Sequence, residues 1–394
     1  MSDIYLNQLG LLCALGNSPA DVVAGLRAGV SPGMQMRAGY LEGREVMVGE
    51  VLAELPSVAD LPLRQRSRNN AMMLAALAQI RPAVDAAIAR FGPQRVAVVL
   101  GTSTSGIAEG ERAMRVKVAQ GEFPPGYVYG QQELGSPARC LADVLGVQGP
   151  AYVISTACSS SARALMSAAR LLRGGLVDAV ITGGVDTLCA FTVSGFAALD
   201  SVSAERCNPF SANRHGINIG EGAALFLMSR DEAAVTLAGW GESSDAHHMS
   251  APDPSGRGAE TAMRDALRRA GLAPAEIDYV NVHGTATPHN DAMEGPAVAR
   301  VFGEGVQISS TKPLTGHTLG AAGAIEAAIA WLALQPDNTA GWLPPHLWDG
   351  AADPALPPLR LVEPGMELGR RPRHVLSNSF AFGGSNATLV LGAR

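Results

Sequence analysis

Short apolar segments alternate with longer helical segments along most of this chain. The strand-like segments include 95–101, 152–156, 178–184, 278–283 and 374–384, and the helical ones include 70–91, 158–172 and 260–270. Strands that alternate with helices are typical of mostly parallel sheets covered by helices on both faces. The pattern therefore predicts an α/β protein.

Two of the strand–helix junctions are alike, although they lie far apart in the chain. The first leads from 152–156 into a helix predicted over 158–172, and the second leads through a polar turn into a small-residue helix that runs to about Leu334. Both helices are rich in small residues and lack a polar face, which predicts burial and close approach. We infer an internal duplication that brings the Cys158 helix and the His317 helix together at the centre.

The neighbouring strand segments also fall into pairs. The pattern of 95–101 recurs at 278–283, and that of 178–184 recurs at 374–384. Neither set would easily hide its apolar face alone, so two similar α/β units are predicted to pack together. The N-terminal unit, with the cysteine, covers 1–232, and the C-terminal unit, with the histidines, covers 233–394.

Composition narrows the class of protein. The 394 residues are 47% apolar and 17% charged, and the net charge is −6. This charge argues against nucleic-acid binding as the main role. Many Ala and Gly residues, and Glu326, interrupt the longest apolar helix, so no membrane span is expected.

The five cysteines, Cys13, Cys140, Cys158, Cys189 and Cys207, show no paired spacing and no C-x-x-C motif. Together with a start that looks like a strand rather than a leader, this predicts reduced thiols in a cytoplasmic protein. Cys158 differs because it lies near a predicted helix N-terminus, where free N–H groups favour a thiolate. Taken alone, such a position is more often filled by a small buried residue. The second junction of the same kind, which carries His317, favours the interpretation of Cys158 as a nucleophile over that of a small buried residue.

Four motifs occur in the order and separation of one enzyme family. They are Thr156-Ala-Cys158-Ser-Ser, Asn281-Val-His283-Gly-Thr-Ala-Thr-Pro, Ser310-Thr-Lys312 with Thr315-Gly-His317, and Asn378-Ser-Phe-Ala-Phe-Gly-Gly-Ser-Asn386. Together they resemble the β-ketoacyl-acyl-carrier-protein synthases of types I and II, over essentially the whole chain. The resemblance implies a thiolase-like fold, with a duplicated α/β unit in a five-layer αβαβα arrangement. It also implies a decarboxylative Claisen condensation of malonyl-carrier protein with a cysteine-bound acyl chain, in fatty acid or polyketide/polyene biosynthesis.

The resemblance implies roles for residues at both junctions. Cys158 would be the nucleophile, and the main-chain amides of Cys158 and Phe382 would bind the oxyanion. His283 and His317 would donate hydrogen bonds to the enolate, while Lys312 would supply positive charge and orient His317. No catalytic metal and no cofactor are expected, because the substrates carry phosphopantetheine and the leaving carbon dioxide drives the reaction.

Other motif positions have both a functional and a structural interpretation. Glu326 would lie behind the catalytic residues and pair with Lys312 or with a local polar network. Thr285 and Thr287 would bind the pantetheine arm, and turn capping would be their structural role. The family also implies a monovalent-cation site near Asn281, Glu326, Ser377 and Asn378.

The acyl pocket is implied by three further positions. Phe380 and Phe382 would flank the thiol, with Phe382 as the gate of the acyl tunnel. Ala381 departs from the family pattern, which has glycine there, and its Cβ is expected to stiffen the loop. Thr104 would form the pocket floor, or would be the N-cap of the next helix.

Three other functions fit the motifs less well. A thiolase needs a second cysteine near the C-terminus, and no cysteine follows Cys207. A type III synthase pairs Cys with His and Asn, whereas His317 stands where that asparagine would be. A non-catalytic chain-length partner would lack a catalytic residue, but Cys158, His283 and His317 are all present.

The expected partners follow from the same resemblance. They are acyl carrier protein, with its acyl and malonyl thioesters, and a second copy in a homodimer; a heterodimer with a related synthase subunit is the alternative. The cluster Arg64, Arg66 and Arg68 is a hypothetical docking patch for the acidic carrier protein, or else an ordinary solvated face.

Overall fold

The computed structural model describes residues 3–394 of the chain. Within this range the strands are β1 (Tyr5–Cys13), β2 (Met34–Leu41), β3 (Arg44–Gly49), β4 (Val96–Gly101), β5 (Ala151–Ile154), β6 (Ala179–Asp186), β7 (Gly222–Ser229), β8 (Val235–Ser244), β9 (Tyr279–Asn281), β10 (Gln307–Ser309), β11 (Arg360–Leu361), β12 (His374–Ala381) and β13 (Ser385–Ala393). The α-helices are α1 (Pro19–Ala28), α2 (Arg68–Phe91), α3 (Ile107–Gln120), α4 (Ser136–Leu145), α5 (Ser160–Arg173), α6 (Ala190–Ala197), α7 (Arg257–Ala270), α8 (Pro288–Phe302), α9 (Lys312–Thr315) and α10 (Ala322–Ala333).

The order of the strands repeats between the two halves of the chain. In the first half it is β5-β4-β6-β7-β1, and in the second half it is β10-β9-β12-β13-β8. In both, the first three strands run parallel and the later pairs are antiparallel. Strands β1 and β8 join the two sets through the Tyr5–Thr236 pair, while β11 extends the second set and β2 pairs with β3. The predicted duplication of one α/β unit is therefore present.

Helices form three layers around these two sets of strands. The middle helices α5 and α10 share one apolar core with β1, β7 and β13. Helices α2 and α4 pack on the outer face of the first set, and α7 and α8 pack on that of the second. This is the five-layer αβαβα arrangement of the thiolase-like fold, as predicted.

The middle helices approach closely because the residues between them are small. A Cβ at Gly323 of α10 would lie 2.8 Å from the main-chain nitrogen of Ala162 in α5. The main-chain N–H of Ala324 donates to Ser161 Oγ at 2.8 Å. Every residue of α10 except Trp331 is buried. The missing polar face thus reflects burial on all sides.

Helix α5 begins later than the sequence pattern indicates. Helix α5 starts at Ser160 and α10 at Ala322, and the short helix α9 precedes the latter. Cys158 and His317 therefore lie in the turns before their helices, where their side chains are free to face each other.

Helix α2 is long and apolar enough to cross a membrane by length and composition alone. However, 44% of its most apolar window is buried inside the fold. It packs against β1, β6 and β7, as the core helix of a soluble protein does.

Candidate active site

Cys158 lies in a tight turn between β5 and α5. The preceding residue, Ala157, has a φ of 52°, in the left-handed region that residues with a side chain rarely adopt. The Cys158 side chain is buried, with 4% of the residue exposed. Strained backbone of this kind persists where the surrounding structure holds it, and it is common at functional sites.

Burial raises the pKa of the Cys158 thiol to about 11. The positive charge of Lys312 and hydrogen bonds from the main-chain amides of Phe382 and Cys158 lower it, but by less. The expectation that the helix terminus favours a thiolate is therefore wrong for the resting protein. The reason is that the sulfur has lost its water, which penalises the charged form.

The two predicted histidines come together beside this thiol. His317 lies in the turn between α9 and α10, and its Nε2 is 3.0 Å from Cys158 Sγ. His283 follows β9, and its ring centre lies 5.3 Å from that of His317, with the rings at 82°. Burial, and then the charge of Lys312, hold the pKa of both imidazoles well below the usual range. Both rings are thus neutral and able to donate to an anion.

Lys312 lies between Glu326 and His283. Its Nζ donates to Glu326 Oε1 at 2.5 Å and to the main-chain oxygen of His283, and lies 3.4 Å from His283 Nδ1. The expectation that Lys312 orients His317 is therefore wrong, since the lysine contacts the other imidazole. Gly316, with a φ of 66°, redirects the chain between Lys312 and His317.

A cavity of about 60 Å³ opens beside Cys158. Phe380, Ala381 and Phe382 line it, together with Phe196 from α6. The ring centres of Phe382 and Phe196 lie 5.4 Å apart. The cavity has room for only a few water molecules. The gate role expected of Phe382 stays a prediction. Phe196 was not predictable from the sequence, because nothing near it in the chain indicates a pocket.

Thr285 and Thr287 also line this cavity. Their hydroxyl oxygens lie 2.9 Å apart, and Thr287 Oγ1 accepts the main-chain N–H of Asn290 at 3.3 Å, capping α8. The cap leaves the side chain of Thr287 in the lining of the cavity. The capping role and access to a pantetheine arm are thus compatible.

Thr104 does not line the cavity beside Cys158. Its hydroxyl donates to Asp186 Oδ1 at 2.9 Å and accepts the main-chain N–H of Thr187 at 3.1 Å. The N-cap of α3 is Gly106, so the N-cap interpretation of Thr104 is wrong. The buried carboxylate of Asp186 accounts for the position of this threonine instead.

Another buried carboxylate holds the turn that carries His283. Glu294 accepts the main-chain N–H groups of His283 and Gly284 at 2.7 Å each. Both Glu294 and its turn are buried. The sequence signal that was overlooked is an acidic residue on the helix that follows the histidine motif.

Three buried oxygen atoms in the neighbourhood have no hydrogen-bond partner among residues 3–394. They are Asn281 Oδ1, Glu326 Oε2 and Ser377 Oγ. The fourth residue of the implied cation site, Asn378, is engaged elsewhere, since its Oδ1 accepts from Thr388 Oγ1 at 2.9 Å. Three of the four implied residues therefore offer a free oxygen.

The arginine cluster before α2 divides into two kinds of side chain. Arg64 and Arg66 are exposed. Arg68 instead pairs with Glu221, whose side chain is 3% exposed, with Nη2 2.5 Å from Oε1. Only the first two are available to a partner.

A duplicated five-layer α/β fold with one buried thiol beside two neutral imidazoles defines a thiolase-like condensing enzyme. The chain belongs to the β-ketoacyl synthase family: the N-terminal domain of that family matches residues 57–234, and its C-terminal domain matches residues 234–347.

Relatives match over the full length of the chain. The 3-oxoacyl-[acyl-carrier-protein] synthase 2 of Coxiella burnetii is 31% identical, with 98% of each chain covered. Among solved structures, a chain of the complex of the ketosynthase ApeO with its chain length factor ApeC, from Xenorhabdus doucetiae, is 48% identical, with a TM-score of 0.95 over 100% of this chain and 98% of that one. The ishigamide ketosynthase/chain length factor is 26% identical, with a TM-score of 0.88 over 100% and 99%.

Proposed function

We propose that this chain is the catalytic subunit of a 3-oxoacyl-acyl-carrier-protein synthase. The enzyme joins malonyl-carrier protein to an acyl chain on Cys158, with loss of carbon dioxide. The observation that carries the proposal is the 3.0 Å approach of His317 Nε2 to Cys158 Sγ, with His283 beside it. Within residues 3–394, no second cysteine lines this cavity, which counts against thiolase chemistry.

In the first step, the Cys158 sulfur attacks the acyl thioester of the carrier protein. The thiol proton leaves on the pantetheine sulfur that is released. The oxyanion formed needs two N–H donors, and we assign them to the main-chain amides of Cys158 and Phe382, both of which lower the pKa of the neighbouring thiol. Lys312 favours the thiolate at the moment of attack, because its charge lowers the thiol pKa.

In the second step, malonyl-carrier protein loses carbon dioxide and negative charge develops on its thioester oxygen. Lys312 Nζ lies at Nδ1 of His283, so we assign the proton of that ring to Nε2. His317 Nδ1 is buried without a hydrogen-bond partner. An unpaired acceptor nitrogen costs less free energy there than an unpaired N–H donor, so we assign the proton of this ring to Nε2 as well. Both rings then donate from Nε2. The carbanion attacks the acyl carbonyl, and the Cys158 sulfur leaves.

The reaction needs no catalytic metal and no organic cofactor. Decarboxylation supplies the driving force, and the substrates bring their own phosphopantetheine. A monovalent cation fits the three free oxygens of Asn281, Glu326 and Ser377, because oxygen donors suit hard cations. Its charge would offset the buried carboxylate of Glu326.

We further propose that the chain works as a heterodimer with a related, chain-length-factor-like subunit in polyketide-type synthesis. Support comes from the 48% identical chain, which belongs to a solved complex of a ketosynthase with its chain length factor. Strand β5 ends the sheet, pairs only with β4 and carries no charged residue. Unprotected edges of this kind are pairing sites. A homodimer through the same edge is the alternative.

The connection from β4 to β5 supports this interface, since it carries several exposed apolar side chains. They are Met114, Val118, Phe123, Val128, Tyr129 and Leu134. Clusters of exposed apolar residues mark interaction surfaces.

The acyl carrier protein is the proposed substrate-bearing partner, with Arg64 and Arg66 as its docking residues. All five cysteines are unpaired. Free thiols agree with a reducing compartment, so we propose the cytoplasm as the site of action.

Intact-mass measurement tests the activity directly. The protein, alone and with its candidate partner subunit, is incubated with acyl-carrier proteins of several chain lengths, beside Cys158→Ala. We expect an acyl mass on the wild type only, followed by a 3-oxoacyl product when malonyl-carrier protein is added. The absence of any adduct under all these conditions would overturn the proposal.

A further inference from the structure

A buried carboxylate joins the two halves of the molecule close to the catalytic residues. Asp186, the last residue of β6, has no exposed surface. It accepts hydrogen bonds from the hydroxyl of Thr102, from the main-chain N–H and hydroxyl groups of Ser103 and Thr104, and from the main-chain N–H of Gly320. These donors come from both halves, and none belongs to a basic side chain.

The turn at residues 101–106 is rich in hydroxyl groups, and the anion that these groups bind is the Asp186 carboxylate. The three successive hydroxyls of Thr102, Ser103 and Thr104 all donate to Asp186. A carboxylate that accepts this many hydrogen bonds is fixed in place, because each bond restrains its two oxygens. The turn and the end of β6 therefore behave as one rigid unit.

The same carboxylate holds the segment that follows His317. The main-chain N–H of Gly320 donates to Asp186 Oδ2 at 2.6 Å. A Cβ at Gly320 would lie 2.7 Å from that oxygen and 2.6 Å from the main-chain nitrogen of Ser103. Leu319, which lies between His317 and Gly320 in the chain, has a φ of 51°, which is strained for a residue with a side chain. The strain shows that the surrounding contacts impose this course on the chain.

The position of His317 depends on such main-chain contacts. Its ring has no partner at Nδ1, so no hydrogen bond on that side orients the imidazole. On the N-terminal side, the His317 N–H donates to the Asn218 oxygen at 2.6 Å, and its own oxygen accepts from Gly220 at 2.9 Å. On the C-terminal side, the Gly320 N–H donates to Asp186 Oδ2 at 2.6 Å and to Ser103 Oγ at 3.1 Å, and the Ser103 hydroxyl itself donates to Asp186.

We propose that Asp186 is a positioning residue for His317, holding its Nε2 at Cys158 through the Gly320 main chain. The readout in turnover rests on the proposed function. Losing this anchor displaces the imidazole, and misplacement of a reacting group by about 1 Å can cost about 10²-fold in rate. Because the enolate charge exists only in the second step, the loss falls on kcat rather than on KM.

The test compares Asp186→Asn with the wild type, with Ser103→Ala as a milder variant of the same hub. Asn338→Ala is the matched control, since Asn338 is equally buried and holds the loop 333–342 by three hydrogen bonds. The measurements are thermal unfolding, kcat and KM for malonyl-carrier protein, and the pH dependence of Cys158 alkylation by iodoacetamide.

We expect Asp186→Asn to lower kcat roughly 10- to 100-fold with KM changed less than about threefold. Its alkylation profile should move to higher pH, because the thiolate loses the Nε2–H donor. Asn338→Ala should lower thermal stability but leave kcat and the profile unchanged. If Asp186→Asn behaves like that control, the proposal is overturned. The alkylation profile needs no substrate, so it reports on the anchor even if the proposed synthase activity fails.

Discussion

Replacing Lys312 by methionine tests how the buried ion pair supports both stability and catalysis. The Lys312 and Glu326 side chains are 1% and 3% exposed, and their charged atoms lie 2.5 Å apart. Removing one partner leaves the other charge buried and unpaired, which costs about 3–5 kcal/mol. That is a large share of the roughly 5–15 kcal/mol that stabilises a folded domain.

The stability loss should depend on pH in a defined direction. Burial raises the pKa of the Glu326 carboxyl, and the two contributions of Lys312 oppose that shift. Without the lysine, the folded state prefers the neutral acid still more strongly. A group whose pKa is raised by folding stabilises below its unfolded pKa and loses that contribution as pH rises through the folded value. The free energy of unfolding of Lys312→Met should therefore fall further below that of the wild type as pH rises above the pKa that Glu326 has in the unfolded chain.

Catalysis should fail for a separate reason. His283 loses the charged group at Nδ1 that assigns its proton to Nε2, so donation to the enolate weakens. Removing one such donor costs about 10²–10³-fold in kcat. The double variant K312M/E326Q should recover stability relative to the sum of the single changes, yet remain inactive.

Urea unfolding and steady-state kinetics of the single and double variants measure both effects. Lys117→Met is the natural control, because Lys117 is the only other lysine in the sequence and is exposed on α3. Surface interactions of this kind are worth about 0–1 kcal/mol. A free energy of unfolding for Lys312→Met within about 1 kcal/mol of the wild type, or additive single and double changes, would refute the reasoning.

Iodoacetamide should label Cys158 about tenfold faster for each pH unit between pH 7 and 9, because a thiol pKa of about 11 keeps the thiolate fraction far from saturation. Peptide mapping separates Cys158 from the other cysteines, and a plateau near pH 8 would contradict the raised pKa. Ala381→Gly should lower the free energy of unfolding by about 0.4–1 kcal/mol through the unfolded chain, since a φ of −101° suits alanine. It should also speed acylation by long chains, and equal stopped-flow rates would exclude Ala381 from gating. Arg64→Glu with Arg66→Glu should raise KM for the carrier protein, most strongly at low salt, whereas Arg81→Glu with Arg90→Glu, the same charge change further along α2, should not.

The architecture was predictable because it leaves periodic traces. Apolar strand patterns recur in both halves, and the two helices without a polar face could only be central. The motifs then placed Cys158, His283 and His317 at the ends of such elements, and these three side chains do meet.

What could not be predicted depends on burial and on distant contacts. Nothing local shows that the sulfur of Cys158 would lose so much water that its pKa rises to about 11. Which of the two imidazoles Lys312 contacts depends on the turn at Gly316. Asp186 ends an apolar strand and finds its donors more than 80 residues away in sequence, so its role has no local signature.

The duplication explains why the site needs both halves. Cys158 follows β5 and His317 follows β10, which are equivalent strands in the two repeats, so the helices α5 and α10 bring equivalent positions face to face. The turns after the next equivalent pair, β4 and β9, also correspond. In one, Asp186 binds the amides of Ser103 and Thr104, and in the other, Glu294 binds those of His283 and Gly284. Each repeat thus fixes a polar turn with a buried carboxylate. Only in the second repeat does this turn carry an imidazole, that of His283. The first repeat supplies the reacting sulfur, that of Cys158.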